Sequence, residues 1–308
     1  MKKIFLMVLM AICSISMMAQ ESYFPIRIEL EEIGEPFPAA GAKQLGNKLN
    51  MMLTQSGIVS FDAQTPFVLT AFVIPQEKTI IPGPPSQISE TMEFTFYICD
   101  MNNQILFATT SQTVKGIGTT EGRCYMDAIK KIQTNSAEIQ KFVKDGTAKI
   151  VAYYDHEWER ILTEVRAKAK AHNYEAAIAQ ALSFPTTSKH YKEAVALGLQ
   201  IFQQYQDYVC QTNLQQARSE WAQAQNALGA GAAGEYLAAI YPDAACYKEA
   251  QVLYKEIHDK VADDWKFEMK KYQDGVDLEK QRIEAARQVG IEYGKHQPQQ
   301  MTNFGFLK

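Results

Sequence analysis

Hydrophobic positions alternate along the first half of the chain and recur every three to four residues along the second. In PIRIELEE, Ile26, Ile28 and Leu30 share one face while Arg27, Glu29 and Glu31 take the other, the pattern of a half-buried strand. AAGAKQLGNKLNMMLTQSG changes to helical spacing, with Leu45, Leu49, Met52 and Leu53 on one side and Gly57 as a C-terminal stop. PFVLTAFVI (66–74), TMEFTFYIC (91–99) and ILFATTSQTV (105–114) are apolar β-runs, and DMNNQ between the last two is a hairpin turn. VKGIGTTEGRCYMDAIKKI (114–132) then turns into an amphipathic helix. Thr119 or Thr120 caps that helix, and Tyr125, Ala128, Ile129 and Ile132 face the sheet. NSAE (135–138) caps a short helix expected to end at Asp145-Gly146, and AKIVAYY (148–154) is expected as a closing strand. The order β-α-β-β-β-α-α-β predicts an α+β domain over 20–153, a small, mostly antiparallel sheet covered by helices on one side.

Between two apolar strands lies PQEKTIIPGPPSQIS (75–89), with prolines at 75, 82, 84 and 85. Such a segment is stiff and cannot enter a central strand, so it reads as an extended loop. Ile80 and Ile81 within it either fold back onto the sheet or offer a contact to a partner.

From Asp155 onward the strand signal stops. Trp158, Ile161, Leu162, Val165 and Ala169 mark one helix face. HNYEAAIAQALSFP follows, where Asn173, Tyr174, Ala177, Ala181 and Pro185 resemble the turn, aromatic, alanine and proline positions of a tetratricopeptide unit. PTTSKHYKEAVALGLQI (185–201) is echoed by PDAACYKEAQVLYKEI (242–257), with Tyr191-Lys192-Glu193-Ala194 matching Tyr247-Lys248-Glu249-Ala250 at an offset of 56 residues. That offset exceeds a regular tetratricopeptide period, so irregular helical hairpins are expected, an all-α region over 154–297. Residues 261–294 read as one long helix, with Met269, Val276 and Ile283 recurring at sevens; it packs on its own domain or pairs with another chain. The tail over 298–308 is polar, then aromatic, and is expected to be mobile unless Phe304, Phe306 and Leu307 dock.

The N-terminus adds a compartment. Lys2 and Lys3 precede an apolar run from Ile4 to Cys13 and then small and polar residues, a secretory signal peptide over 1–19 cut after Ala19 or, alternatively, after Ser16. Cys13 follows Ile12, which is too large for the position before a lipidated cysteine. Formal charge falls from −4 to −6 once Lys2 and Lys3 leave, and there is no basic cluster to suit nucleic acid. Cys99, Cys124, Cys210 and Cys246 show no metal-like spacing; they are buried thiols, or one pair bridges, with Cys210–Cys246 the candidate.

Chemistry is sparse. The glycines at 116, 118 and 122 miss the dinucleotide spacing, the run follows a hairpin, and Glu121 would repel a phosphate at the helix start. Gly116 and Gly118 are read as letting the chain turn sharply. Asp155, His156, Glu157 and Glu159 point in different directions on a helix, and His258 lies off the face of Asp259 and Asp263. No catalytic motif is present, so neither catalysis, cofactor nor metal is expected.

FTFYICDMNNQILFATTSQTVKGIG resembles the sheet domain of the curli-secretion and penicillin-binding-protein-activator group of envelope proteins, in which an Asp ending one strand and a Gly-x-Gly before a helix recur. Asp100, Gly116 and Gly118 carry that match, over about a third of the chain. The resemblance implies envelope assembly or regulation of a partner without chemistry of its own. Helical repeats offer concave surfaces for polypeptides. The expectation is therefore a periplasmic or outer-envelope scaffold that binds a protein, with Ile80, Ile81, Tyr174, Tyr191 and Tyr247 as contact residues. The alternatives are a cell-wall glycan binder, through exposed aromatic rings, and a hydrolase with two distant carboxylates meeting in space.

Overall fold

The computed structural model describes residues 26–30, 39–58, 65–100, 103–261 and 266–296. The expected signal peptide, its Cys13, and the tail over 298–308 lie outside the described residues.

Strand β1 (Arg27–Ile28) leads to helix α1 (Ala39–Gln55), then to β2 (Phe67–Ile81), β3 (Gln87–Asp100) and β4 (Ile105–Gly118). The sheet order is β1-β2-β3-β4; β1 runs parallel to β2 and the other pairs are antiparallel. Alternation sorts the two faces. Leu69 opposite Ile98, Ala71 opposite Phe96 and Val73 opposite Phe94 point into the core, while Phe72 and Ile74 on the other face remain 45% and 48% exposed. Helix α2 (Glu121–Lys131) lies on the inner face, with Thr120 accepting from Arg123 N at its start. Its buried residues include Tyr125, Ala128 and Ile129, as their spacing predicts.

Three expectations change here. The glycines at 116 and 118 belong to β4 and do not turn the chain. A Cβ on Gly116 would sit 2.1 Å from Cys124 O, and one on Gly118 would sit 2.4 Å from Cys124 N. They are needed for the close approach of α2 to the strand. Second, AKIVAYY is not a strand. Helix α3 (Ala137–Lys170) starts at the Ser136 cap and runs 34 residues through Asp145-Gly146. Ile139, Phe142, Val143, Gly146, Ile150, Tyr154, Ile161 and Val165 keep helical spacing along one face. Gly146 is a contact point: a Cβ there would meet Ile98 Cδ1 at 2.7 Å. The expected junction at 153–154 lies inside this helix, and one buried cluster runs from the sheet through Tyr154, Ile161 and Leu162 to Phe184 and Ala194.

Third, residues 75–81 and 87–89 are strand, and only 82–86 form a loop. β2 continues to Ile81 and pairs with β3, so the two strands form an arm with the proline cluster at its tip. Pro75 is tolerated because β1 covers only Val68 and Leu69, so β2 is an edge strand at that point, and the register breaks between Pro75 and Glu77. The opposite edge is closed by side chains. Lys131 Nζ donates to Lys115 O (2.7 Å), and Ile117 N donates to Asp127 (2.9 Å). At the β3–β4 turn, Asp100 accepts from Asn103 N at 3.0 Å.

The second half is helical: α4 (Tyr174–Ala181), α5 (Tyr191–Gln223), α6 (Ala227–Ala239), α7 (Tyr247–Val261) and α8 (Leu278–His296). The expected single helix over 261–294 is shorter. Residues 266–277 are not helical, Gly275 has a positive φ of 76°, and only α8 keeps the helix. The whole is an α+β fold, a four-stranded mixed sheet followed by a mostly helical region. No helix among the described residues is long and apolar enough to cross a membrane.

Candidate functional site

The echo seen in the sequence is structural. α5 and α7 begin at the two matching tyrosines. The loops before them repeat their hydrogen bonds at the same offset: Ser188 N to Pro185 O and Ala244 N to Tyr241 O, then Tyr191 N to Ser188 O and Tyr247 N to Ala244 O. An aspartate on the preceding long helix caps each loop. Asp155 accepts from Lys189 N (2.9 Å) and Ser188 Oγ (2.7 Å); Asp207 accepts from Ala245 N (2.7 Å). Asn173 and Asn226 occupy the N-caps of α4 and α6. The second unit is tied by a disulfide, Cys210–Cys246, while Cys99 and Cys124 are buried and form no disulfide.

These two units hold the chain's own C-terminal segment. Phe267 packs on α6, where a Cβ on Gly234 would lie 2.4 Å from its ring, and Met269 is buried in the second unit's core. Tyr254 donates to Phe267 O (2.8 Å) and Tyr247 to Lys270 O (2.6 Å). Lys270 Nζ sits 3.7 Å from the Tyr241 ring centroid; Lys270 is exposed as a residue, yet desolvation of its ammonium lowers its pKa. Further on, Arg282 Nε donates to Asp243 (2.6 Å), which also accepts from the Tyr272 hydroxyl (3.0 Å). The Arg282 guanidinium, more than Tyr272, holds the Asp243 carboxyl below its usual range. Arg287 reaches the Tyr191 hydroxyl at 3.4 Å. Ala286 and Val289 of α8 are buried against α4 and α5, and the backbone of Gly290 lies so close that a Cβ would meet Ala179 Cα at 3.1 Å.

The residues singled out from sequence thus fall in three places. Tyr191 and Tyr247 face residues 266–290 of their own chain. Tyr174 lies in a ring cluster, with His172 at 5.6 Å and Tyr208 at 5.7 Å between centroids, and its hydroxyl shares a 3.0 Å hydrogen bond with His172 Nδ1. His172 has a φ of 58°, a left-handed backbone uncommon for a side chain of this size. Ile80 and Ile81 sit near the tip of the β2–β3 arm, Ile80 68% exposed. Asp243, Lys270, Tyr272 and Arg282 carried no local signal; only the echo, in which Asp243 follows Pro242, pointed to their neighbourhood.

The candidate histidines are engaged by their neighbours. His190 stacks on Trp158 at 4.1 Å and bonds Glu193, and His156 bonds Glu157. Among the described residues no three His, Cys, Asp or Glu converge to hold a metal. A cavity of about 500 Å³ opens between α1 and α3 beside Ser56, Lys144 and Thr147; its described lining holds no carboxylate, histidine or cysteine.

No protein-family model matches the chain, and no curated protein matches it. Among solved structures it is similar to the crystal structure of a minor lipoprotein from Acinetobacter baumannii, with 17% identity, a TM-score of 0.26, and coverage of 41% of this chain and 94% of that one. A likeness at that level carries no argument about function.

Proposed function

We propose that this protein is a non-catalytic scaffold or adaptor of the cell envelope that binds a protein partner through its helical region. One observation supports the reading: two helical units with matching loops already hold a polypeptide segment. They do so with tyrosine hydroxyls on its backbone carbonyls and a loop aspartate on its arginine. Recognition of main chain plus a cation suits a protein ligand. The signal-peptide pattern of the N-terminus and the Cys210–Cys246 bridge both suit an oxidising compartment, the periplasm or outer envelope. The test is photo-crosslinking in intact cells from Tyr208, beside the repeats, and from Ile80, on the arm. A discrete polypeptide adduct from Tyr208 is expected; an absence of any protein adduct overturns the reading.

The ring cluster favours a second reading, a cell-wall glycan stacked on Tyr208, which is 48% exposed, beside His172 and Tyr174. Co-sedimentation with purified peptidoglycan that is abolished by Tyr208→Ala would support it. Recovery of the protein wholly in the supernatant would remove it.

A further inference from the structure

The two echoed loops each receive one arginine from the same helix. Arg282 of α8 reaches Asp243 in the second loop (2.6 Å), and Arg287, five residues later, reaches Tyr191 at the end of the first (3.4 Å). Between and beyond them the contact is made by small residues: Ala286 is fully buried, and Gly290 lies against Ala179. The matching surface therefore has an acidic and a phenolic acceptor at a fixed separation, with a shallow seat for an alanine–glycine ridge.

We propose that this seat on α4 and α5 is a receptor site for an amphipathic helix of a protein partner, one with small residues on its buried ridge and two arginines five apart, and that α8 is its internal occupant. The proposal deepens the reading above, on which it rests for the partner's being a protein. Two further observations support exchange. Among the described residues of α8 only Ala286, Val289 and Gly290 are buried, while Ile283, Ala285, Ile291 and Tyr293 are half-buried, so its hold rests on small residues and partial burial. The connection over 273–277 is exposed throughout and contains Gly275 in the left-handed region; it buries no side chain and is held by hydrogen bonds with Gln281, so α8 is tethered by chain that packs on little. Charge complementarity selects the occupant: a helix without the two arginines would bury the Asp243 side without its cation.

The experiment uses the full chain and a labelled peptide spanning Leu278–His296. One form carries a specific protease site inserted between Gly275 and Val276, so that α8 can be cut loose in place. A second, uncut form carries Arg282→Ala and Arg287→Ala, which weakens the internal helix and leaves the seat intact. The cut chain and the double variant are each expected to take up the peptide at least ten-fold more tightly than the uncut native chain, because the tethered helix competes at high effective concentration. A peptide lacking both arginines is expected to bind at least ten-fold more weakly. No uptake by either form, or equal binding of the arginine-free peptide, overturns the proposal. So does a dimer of the double variant or of the native chain that holds exchanged α8 helices, which would make a second copy the occupant. Peptide exchange without any crosslinked protein in cells would leave the receptor seat standing and remove the function proposed above.

Discussion

At Gly116, the absence of a side chain is a packing requirement. A methyl group there would lie 2.1 Å from a backbone oxygen of α2, which cannot retreat as a flexible side chain could. Gly116→Ala is expected to destabilise the fold by about 1–3 kcal/mol through overpacking. Gly231, inside α6, meets nothing within 4 Å, and Gly231→Ala is expected to be neutral or to stabilise by up to ~1 kcal/mol; urea unfolding of the two variants separates them. Asp243 has a different dependence. Its folded-state pKa is depressed, chiefly by Arg282. Its contribution is therefore complete above the ordinary carboxylate value of 3.8, and it is lost as pH falls through the lower folded value. Amide exchange of α8, corrected for intrinsic rate, is expected to hold constant from neutral pH to about 5 and to rise at more acidic pH. Asp243→Asn removes that step and loosens α8 at neutral pH.

At the scale of elements, legibility followed how much each pattern depended on its neighbours. The strand runs ending at Ile74, Cys99 and Val114 and the helix after Thr120 were plain in the alternation and the cap. The segment 148–154 was misread because Ile150, Ala152 and Tyr154 alternate over a short window, while the register that decides the matter extends from Ile139 to Val165. The proline-rich stretch was misread for the opposite reason. Prolines exclude a central strand, and whether a strand is central depends on how far β1 reaches. The arm also separates stability from contact: Ile80 and Ile81 support no core, so replacing both with Ser is expected to leave the melting temperature within about 2 °C of native. If the arm touches a partner, the same change lowers the crosslinking yield from a probe at Thr79 several-fold. An unchanged yield removes the arm from the interface.

For the whole molecule, the sheet shares one buried cluster with α3, reaching Phe184 and Ala194; α4, α5 and α8 share another around Ala177, Ile201 and Ala286; and the second unit has its own core around Cys210, Leu214, Trp221 and Leu237. The bridge closes a loop across 36 residues within that second unit. Replacing Cys210 and Cys246 with Ser is expected to cost about 2–4 kcal/mol. Hydrogen exchange should rise first in α6 and α7, and the sheet should keep its protection; uniform loss across the chain would show that the second unit's core and the sheet's core unfold as one.

The sequence alone determined the α+β class, the inner face of the first strand, a cap at Thr119 or Thr120 and one within residues 135–138, and the pairing of two tyrosine-led helices, because each follows from side chains a few residues apart. Tertiary structure decided that α3 runs unbroken past Gly146, that Cys210 meets Cys246, that residues 266–277 leave the helix to cross the repeats, and that Asp243 receives Arg282. Those outcomes join positions tens of residues apart, where the deciding energy comes from packing and from matching a partly buried acceptor to its donor, and no local periodicity records them.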